Sequence, residues 1–468
     1  MRVDDLRAFL RQANPWWSSP VERIDPTAWT ADDRLLQRRA THDLGYRSDV
    51  LADVATGPLD DSLYVLRGPR RVGKSVVLRD LAAAPCARGD IDPRQIIYIP
   101  ADTFRVRDLR RAVMLAMQLT RPIAASRRVW LFDEITGIEG WTAEIKSLRD
   151  NDRFGDDTVV FTGSSAAGAE HAVRDLGAGR AGESNTTPFR TLLPMTFRDF
   201  LEATGTGSHA VDATSPQHLQ SSDAAEVLVA LEPILDDLDM AWQRYLEAGG
   251  FPRAVAEHHR DGAVSPAFYG DLASWLTADI DPSAQADSVA LLMTELHSRT
   301  TTPLNVRDLA MSMGYTRDQA IARLNKIVRS YAGLWCPQLN DQGRRVTGAQ
   351  PKFYLIDPVL AWLGHATRPG LAAPDFTRLT ESALAVSLAR VIETKSPGRW
   401  TAGDTVGYSR TTSGKEVDFA PLPVPSPSGS NGPYRSSRNG SRMGGAPKLE
   451  PLKADTNAVS SRPRTSWT

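Results

Sequence analysis

Cysteine, lysine and long apolar runs are all scarce in this chain of 468 residues. The two cysteines, Cys86 and Cys336, lie far apart in sequence. That excludes a disulfide scaffold, argues against a thiolate zinc site and suits a reducing, cytoplasmic setting. No apolar stretch reaches the ~18 uninterrupted residues of a membrane span. The first residues, MRVDDLRAFLRQANPWW, lack the apolar run of a signal peptide. There is no excess of either charge: 55 Lys and Arg face 56 Asp and Glu, for a net charge of -1. A uniformly basic nucleic-acid coat is thereby excluded, and any nucleic-acid contact has to be a local patch. What is present, 41% hydrophobic and 24% charged residues, is ordinary globular composition, and the length predicts about two to four domains at ~100–200 residues each.

The first stretch reads as a helix with Leu6, Phe9 and Leu10 on one face, ended by Asn14-Pro15-Trp16-Trp17. The paired tryptophans suit packing better than base stacking. From residue 63 the pattern alternates. Apolar runs at 63–66, 95–99, 129–132 and 158–161, with a fifth at 188–193, predict strands. Residues 74–81, 109–119 and 139–148 predict the helices between them. Strands unbroken by polar residues are covered on both faces, so the expected fold class is α/β, a parallel sheet with helices on both sides. Residues 203–224 read as a loop. Helical patterns then run over 225–276, broken at Gly249-Gly250-Phe251-Pro252.

Gly68-Pro69-Arg70-Arg71-Val72-Gly73-Lys74-Ser75 is a complete GxxxxGK[ST] between an expected strand and an expected helix. Glycines allow the backbone to turn tightly and approach a phosphate, while loop N–H groups and the helix N-terminus make an anion nest. Gly68 through Ser75, with Val76 behind, are therefore the expected ATP-binding residues. Lys74 is expected at the β and γ phosphates and Ser75 on Mg2+. With lysine so scarce, a chance match is improbable. The run VWLF ends in Asp133-Glu134, which the carboxyl edge of a parallel sheet places beside the loop. Asp133 is the expected second Mg2+ residue, and Glu134 the general base for an attacking water. At the next strand end, Thr162 and Ser164 are candidates for orienting the water or capping a helix. Arg180 is a candidate arginine finger.

As a set, these residues resemble the AAA-type ATPases of bacteria and archaea that carry a C-terminal domain of unknown function. The matching stretches are NPWW (14–17), GPRRVGKS (68–75), WLFDEI (130–135), TGSSA (162–166) and PMTFRDFL (194–201). They continue with YLEAGGFPRAV (245–255), PKFYLIDPVLAW (351–362) and YSRTTSGKEVDF (408–419). The resemblance implies an ASCE-type P-loop NTPase sheet followed by a helical lid, a winged helix and a truncated, degenerate restriction-endonuclease-like module. It also suggests links to nucleic acid and to toxin–antitoxin or defence systems. The expected organisation is 1–45 N-terminal helical segment, 46–205 P-loop ATPase domain, 206–285 lid, 286–370 winged helix, 375–420 nuclease-like module and 421–468 disordered tail.

Within the winged-helix stretch, helices over 302–313 and 317–330 are expected to flank a Gly314 turn. β-runs at 334–339 and 352–356 bracket a wing with Arg344 and Arg345. Arg317, Arg323, Lys326 and Arg329 supply charge for DNA phosphates, against the alternative of a unit used only for packing. In the C-terminal module the resemblance places Glu381 and Asp418 near a metal. The strand that should follow with Glu-x-Lys is absent, and Glu393-Thr394-Lys395 reads as coincidence, so no nuclease activity is expected. The leading expectation is a Mg2+-dependent ATP hydrolase whose turnover moves the lid and winged helix, in a cytoplasmic, membrane-free setting, with a protein client and oligomerisation left open. The alternative is a nucleotide-gated DNA-binding regulator with little turnover. A P-loop kinase is disfavoured by the water-activating position of Glu134.

Overall fold

The computed structural model describes residues 1–41, 44–57, 59, 61–120, 127–151, 157–163, 188–206, 223–368, 370–410 and 415–421. Five parallel strands form the central sheet. They are β1 (Leu63–Arg67), β2 (Ile96–Pro100), β3 (Val129–Asp133), β4 (Thr158–Thr162) and β5 (Phe189–Thr191), in the spatial order β2-β3-β4-β1-β5. All five positions of β1, β3 and β4 are buried, as the unbroken apolar runs require of strands covered on both faces. This is the sheet of a P-loop NTPase, with β4 inserted between the loop-bearing strand and the acid-bearing one.

The helices around it follow from local pattern. Helix α1 (Val3–Ala13) buries Leu6, Leu10 and Ala13 against the β2 edge. Helix α2 (Lys74–Arg88) starts at the loop. It runs past the expected end at 81, through Pro85, and stops where Gly89 turns left-handed (φ +73). Helix α3 (Val106–Leu119) buries Leu109, Ala112, Val113 and Ala116 at spacings of three and four. Helix α4 (Trp141–Asp150) packs on α3. Trp16 and Trp17 are buried, and both indole N–H groups donate to the Ile96 carbonyl, which confirms the packing role.

Beyond the sheet the chain is mostly helical. Helix α5 (Pro266–Ile280) is buried along Phe268, Leu272, Ala273 and Leu276. The helix expected from 302 starts later, as Val306–Met313, because the Asn305 side chain caps it by accepting the N–H groups of Arg307 and Asp308. Thr316 and Gln319 form a capping box at the start of α6 (Arg317–Arg329). The expected β-run over 334–339 is two strands, divided at Pro337. The first, β6 (Gly333–Cys336), and β7 (Gln338–Leu339) find different partners. β6 pairs antiparallel with β8 (Lys352–Leu355). Helix α7 (Phe376–Lys395) begins at an Asp375 cap. β7 then pairs in parallel with β9 (Val406–Arg410), which pairs antiparallel with β10 (Glu416–Pro421). No helix among the described residues is long and apolar enough to cross a membrane. Apart from Pro421, the expected tail at 421–468 lies outside the described residues.

Candidate functional site

The loop after β1 is shaped by close approach. Gly68 has φ +140, and a Cβ there would fall 1.9 Å from the Leu192 carbonyl oxygen, so no larger residue fits. Gly73, at φ +101, leads directly into α2. Arg71 also has a positive φ, +70, a conformation that costs a non-glycine residue on the order of 1 kcal/mol or more. The Lys74 ammonium is buried and donates to the carbonyls of Gly68 (3.0 Å) and Pro69 (2.8 Å). Burial lowers its pKa, while the carboxylates of Glu134 and Asp133 act in the opposite direction. The amine and the two acids therefore share one electrostatic environment. Ser75 and Val76 follow in the first turn of α2, both half-buried.

The acids sit at the carboxyl end of β3, in register with neighbours that fix them. Pairing sets Leu66 opposite Thr162 and Pro100 opposite Asp133. Asp133 is buried. Its Oδ1 accepts from the Thr162 hydroxyl (2.6 Å) and its Oδ2 from the Tyr98 hydroxyl (2.7 Å). The Thr162 oxygen in turn accepts the Glu134 backbone N–H (3.0 Å). Thr162 is fully buried, and its one oxygen joins the two acids. Glu134 has a left-handed backbone (φ 53, ψ 34), which turns the chain sharply at the sheet edge. Ser164 and Arg180 lie outside the described residues.

A cation suited to this place is a hard one. The two residues expected on it, Asp133 and Ser75, would offer a carboxylate and a hydroxyl, and among the described residues no group of three or more His, Cys, Asp or Glu could hold a metal ion. That set fits Mg2+, which takes one or two protein oxygens and completes its shell with phosphate and water.

Two features escaped the sequence reading. A cavity of about 280 Å3 adjoins Val72 and Gly73 and is lined largely by apolar groups of Leu35, Leu44, Tyr46, Val76, Met195 and Pro252. These residues come from segments before the loop, from α2, from the stretch after β5 and from the turn at 249–252, so no local pattern marks them. The second feature is on α5. Its Asp279 pairs with Arg70 (3.1 Å) and its Asp271 with Arg71 (3.2 Å).

The C-terminal acids also find partners. Lys352 is wholly buried, its amine 2.7 Å from Glu416, 2.8 Å from Asp418 and 3.4 Å from Glu381. Tyr354 donates to Glu381 at 2.7 Å. Burial works against the charged lysine, but the carboxylates outweigh it and raise its pKa. An internal ammonium thus sits among the acids for which the resemblance implied a metal. Lys352 was identified in sequence only as the start of a strand. The cysteines are both buried, and burial pushes each thiol up to about 12.

Residues 60–201 match the family model described as AAA domain. Residues 240–365 match a second model, a domain of unknown function, DUF8612. An uncharacterized protein of Haemophilus influenzae is 28% identical over 183 residues, which cover 38% of this chain and 43% of that protein. The matched part thus spans less than half of that relative. Among solved structures, the Walker-type ATPase paby2304 of Pyrococcus abyssi aligns at 14% identity with a TM-score of 0.37. The alignment covers 74% of this chain and 97% of that one.

Proposed function

We propose that the protein binds ATP with Mg2+ in the loop Gly68–Ser75 and hydrolyses it. The observation that carries this reading is the buried Lys74 ammonium, held at the loop carbonyls and in the field of Asp133 and Glu134. The match of residues 60–201 to an AAA domain supports it. Loop N–H groups and Lys74 take the phosphates, and the apolar cavity beside Val72 and Val76 takes the base. Ser75 and Asp133 would hold Mg2+, which would neutralise phosphate charge. Tyr98 and Thr162 fix both oxygens of Asp133, and the Thr162 bond to the Glu134 N–H sets where that residue starts. Glu134 serves as the base for water. Turnover is coupled to the helical and winged-helix-like segments that follow.

Calorimetry of ATP with Mg2+ tests the reading. Lys74→Ala is expected to abolish binding heat. Glu134→Gln is expected to keep binding and lower hydrolysis about 10²–10⁴-fold. Unchanged turnover in both variants defeats it.

The DNA-binding alternative has less support. Arg323 of α6 pairs with Asp281 and lies over the Tyr315 ring, and Lys326 donates to the Ile280 carbonyl. Arg345 is bound to Ala402, Gly403 and Asp404. Three of the expected phosphate contacts are thus engaged within the chain.

A further inference from the structure

The two arginines inside the phosphate loop are gripped from outside the AAA-like segment. Arg70 pairs with Asp279 and Arg71 with Asp271, both on α5, within the residues that match DUF8612. Each carboxylate is itself braced. The second oxygen of Asp279 accepts the Trp275 indole N–H at 2.7 Å. The second oxygen of Asp271 accepts from Arg253 at 2.9 Å, and Arg253 is in turn tied to Glu257 at 2.7 Å. The aspartates are eight residues apart on one helix, so they meet adjacent loop residues as a pair. Asp279 also lies close enough to Lys74 to act on its charge.

A carboxylate and a phosphate oxygen are competing acceptors for the same guanidinium. Arg70 and Arg71 occupy positions three and four of the phosphate loop, with about half of each side chain exposed. A polyphosphate seated at Lys74 brings several negative charges beside them, and beside Asp279, which it repels. We propose that Asp271 and Asp279 clamp α5 to the phosphate loop in competition with nucleotide, so that ATP binding and the seating of α5 oppose each other. The proposal rests on the ATP-binding reading above and gives it a regulatory element. The far end of α5 is continuous with the contacts of Asp281 to Arg323 and of the Ile280 carbonyl to Lys326 on α6. Loosening α5 therefore acts on the segment that follows.

Linkage makes the coupling reciprocal: what ATP does to the clamp, loss of the clamp does to ATP affinity. The test uses the full chain with Mg2+ and ATP, comparing wild type with Asp271→Asn/Asp279→Asn by calorimetry and by deuterium uptake over 266–280. Asp279→Asn alone serves if the double variant is misfolded by circular dichroism. The expected result is ATP binding about 5–100-fold tighter in the variant. ATP is also expected to raise uptake over 266–280 in wild type and to have little effect on it in the variant. Tighter binding with no ATP-dependent change in wild-type uptake means simple charge repulsion and overturns it. Unchanged affinity overturns it too, whatever the uptake shows. Failure of both proteins to bind ATP removes the ATP-binding reading itself, and the clamp with it.

Discussion

Arg67, the last residue of β1, and Glu393, near the end of α7, form an ion pair 3.1 Å apart with only 2% of either side chain exposed. They are 326 residues apart in sequence. The Arg67 guanidinium also lies over the Phe189 ring of the neighbouring strand. Glu393 further accepts from Thr191 of β5 and from the N–H groups of Gly398 and Trp400. The residue before the phosphate loop is therefore tied into the C-terminal module.

Removing one partner of so deeply buried a pair strands the other charge. Glu393→Ala is expected to cost about 3–5 kcal/mol in urea unfolding. The double variant Arg67→Met/Glu393→Leu is expected to cost less than the sum of its single changes, because no charge is left unpaired. Additive losses would mean that the pair contributes nothing as a pair.

Thr162 joins the two acids through one oxygen, donating to Asp133 and accepting from the Glu134 N–H. Thr162→Val keeps the shape and removes both bonds. ATP affinity is expected to change by less than threefold while kcat falls about tenfold or more, a transition-state loss of roughly 1.4 kcal/mol. Thr162→Ser restores the hydroxyl and is expected to recover most of it. A Ser variant as slow as Val would show that only packing matters there.

The apolar cavity makes a different demand. Val76→Trp fills it from α2 without touching Lys74. ATP binding is expected to weaken about tenfold or more, while inorganic tripolyphosphate, which has no base, is expected to bind as before. Equal weakening of both ligands would place the base elsewhere.

Two buried groups set opposing pH dependences. Burial pushes the Asp357 carboxyl up to about 7, although the N–H groups of Gly250 and Val359 donate to it. Between pH 3.8 and 7 the folded chain holds this proton and the unfolded chain does not. Its contribution is therefore complete below pH 3.8 and is lost as pH rises through 7. Burial pulls His297 down to about 4, with its Nε2 accepting the Asp375 N–H. Here the unfolded chain binds the extra proton between 4 and 6.5, so that contribution is lost as pH falls through 4. The two slopes cancel between about pH 4 and 6.5. Calorimetric unfolding of His297→Gln is expected to show stability falling with pH across that window, and of Asp357→Asn to show it rising. Parallel profiles for the two variants would refute the assignment.

The central sheet was readable because its signals are local. Four apolar runs, a complete phosphate loop and an acid pair at a strand end each occupy a few consecutive residues. Pro337 explains the misread run at 334–339: lacking an N–H, it interrupts pairing and lets the chain change partners. The other omissions share one cause, which is distance along the chain. Glu393 looked like a stray motif because Arg67 is far away in sequence. Lys352 looked like a strand residue because its carboxylates come from α7 and β10. The apolar cavity draws on residues from Leu35 to Arg253. Asp271 and Asp279 are ordinary helix-surface acids until the fold brings the loop arginines to them.

The contacts of Asn14, Trp16 and Trp17 have a consequence for solution behaviour. The Asn14 side chain accepts the Tyr98 N–H and donates to the Tyr98 carbonyl, while both indoles occupy the Ile96 carbonyl. Side chains thus complete the outer hydrogen bonds of β2, the last strand on its side of the sheet. An edge finished in this way offers no template to a foreign strand. Loss of the opening helix and its tandem indoles would leave the Ile96 and Tyr98 backbone groups open to pairing with another chain.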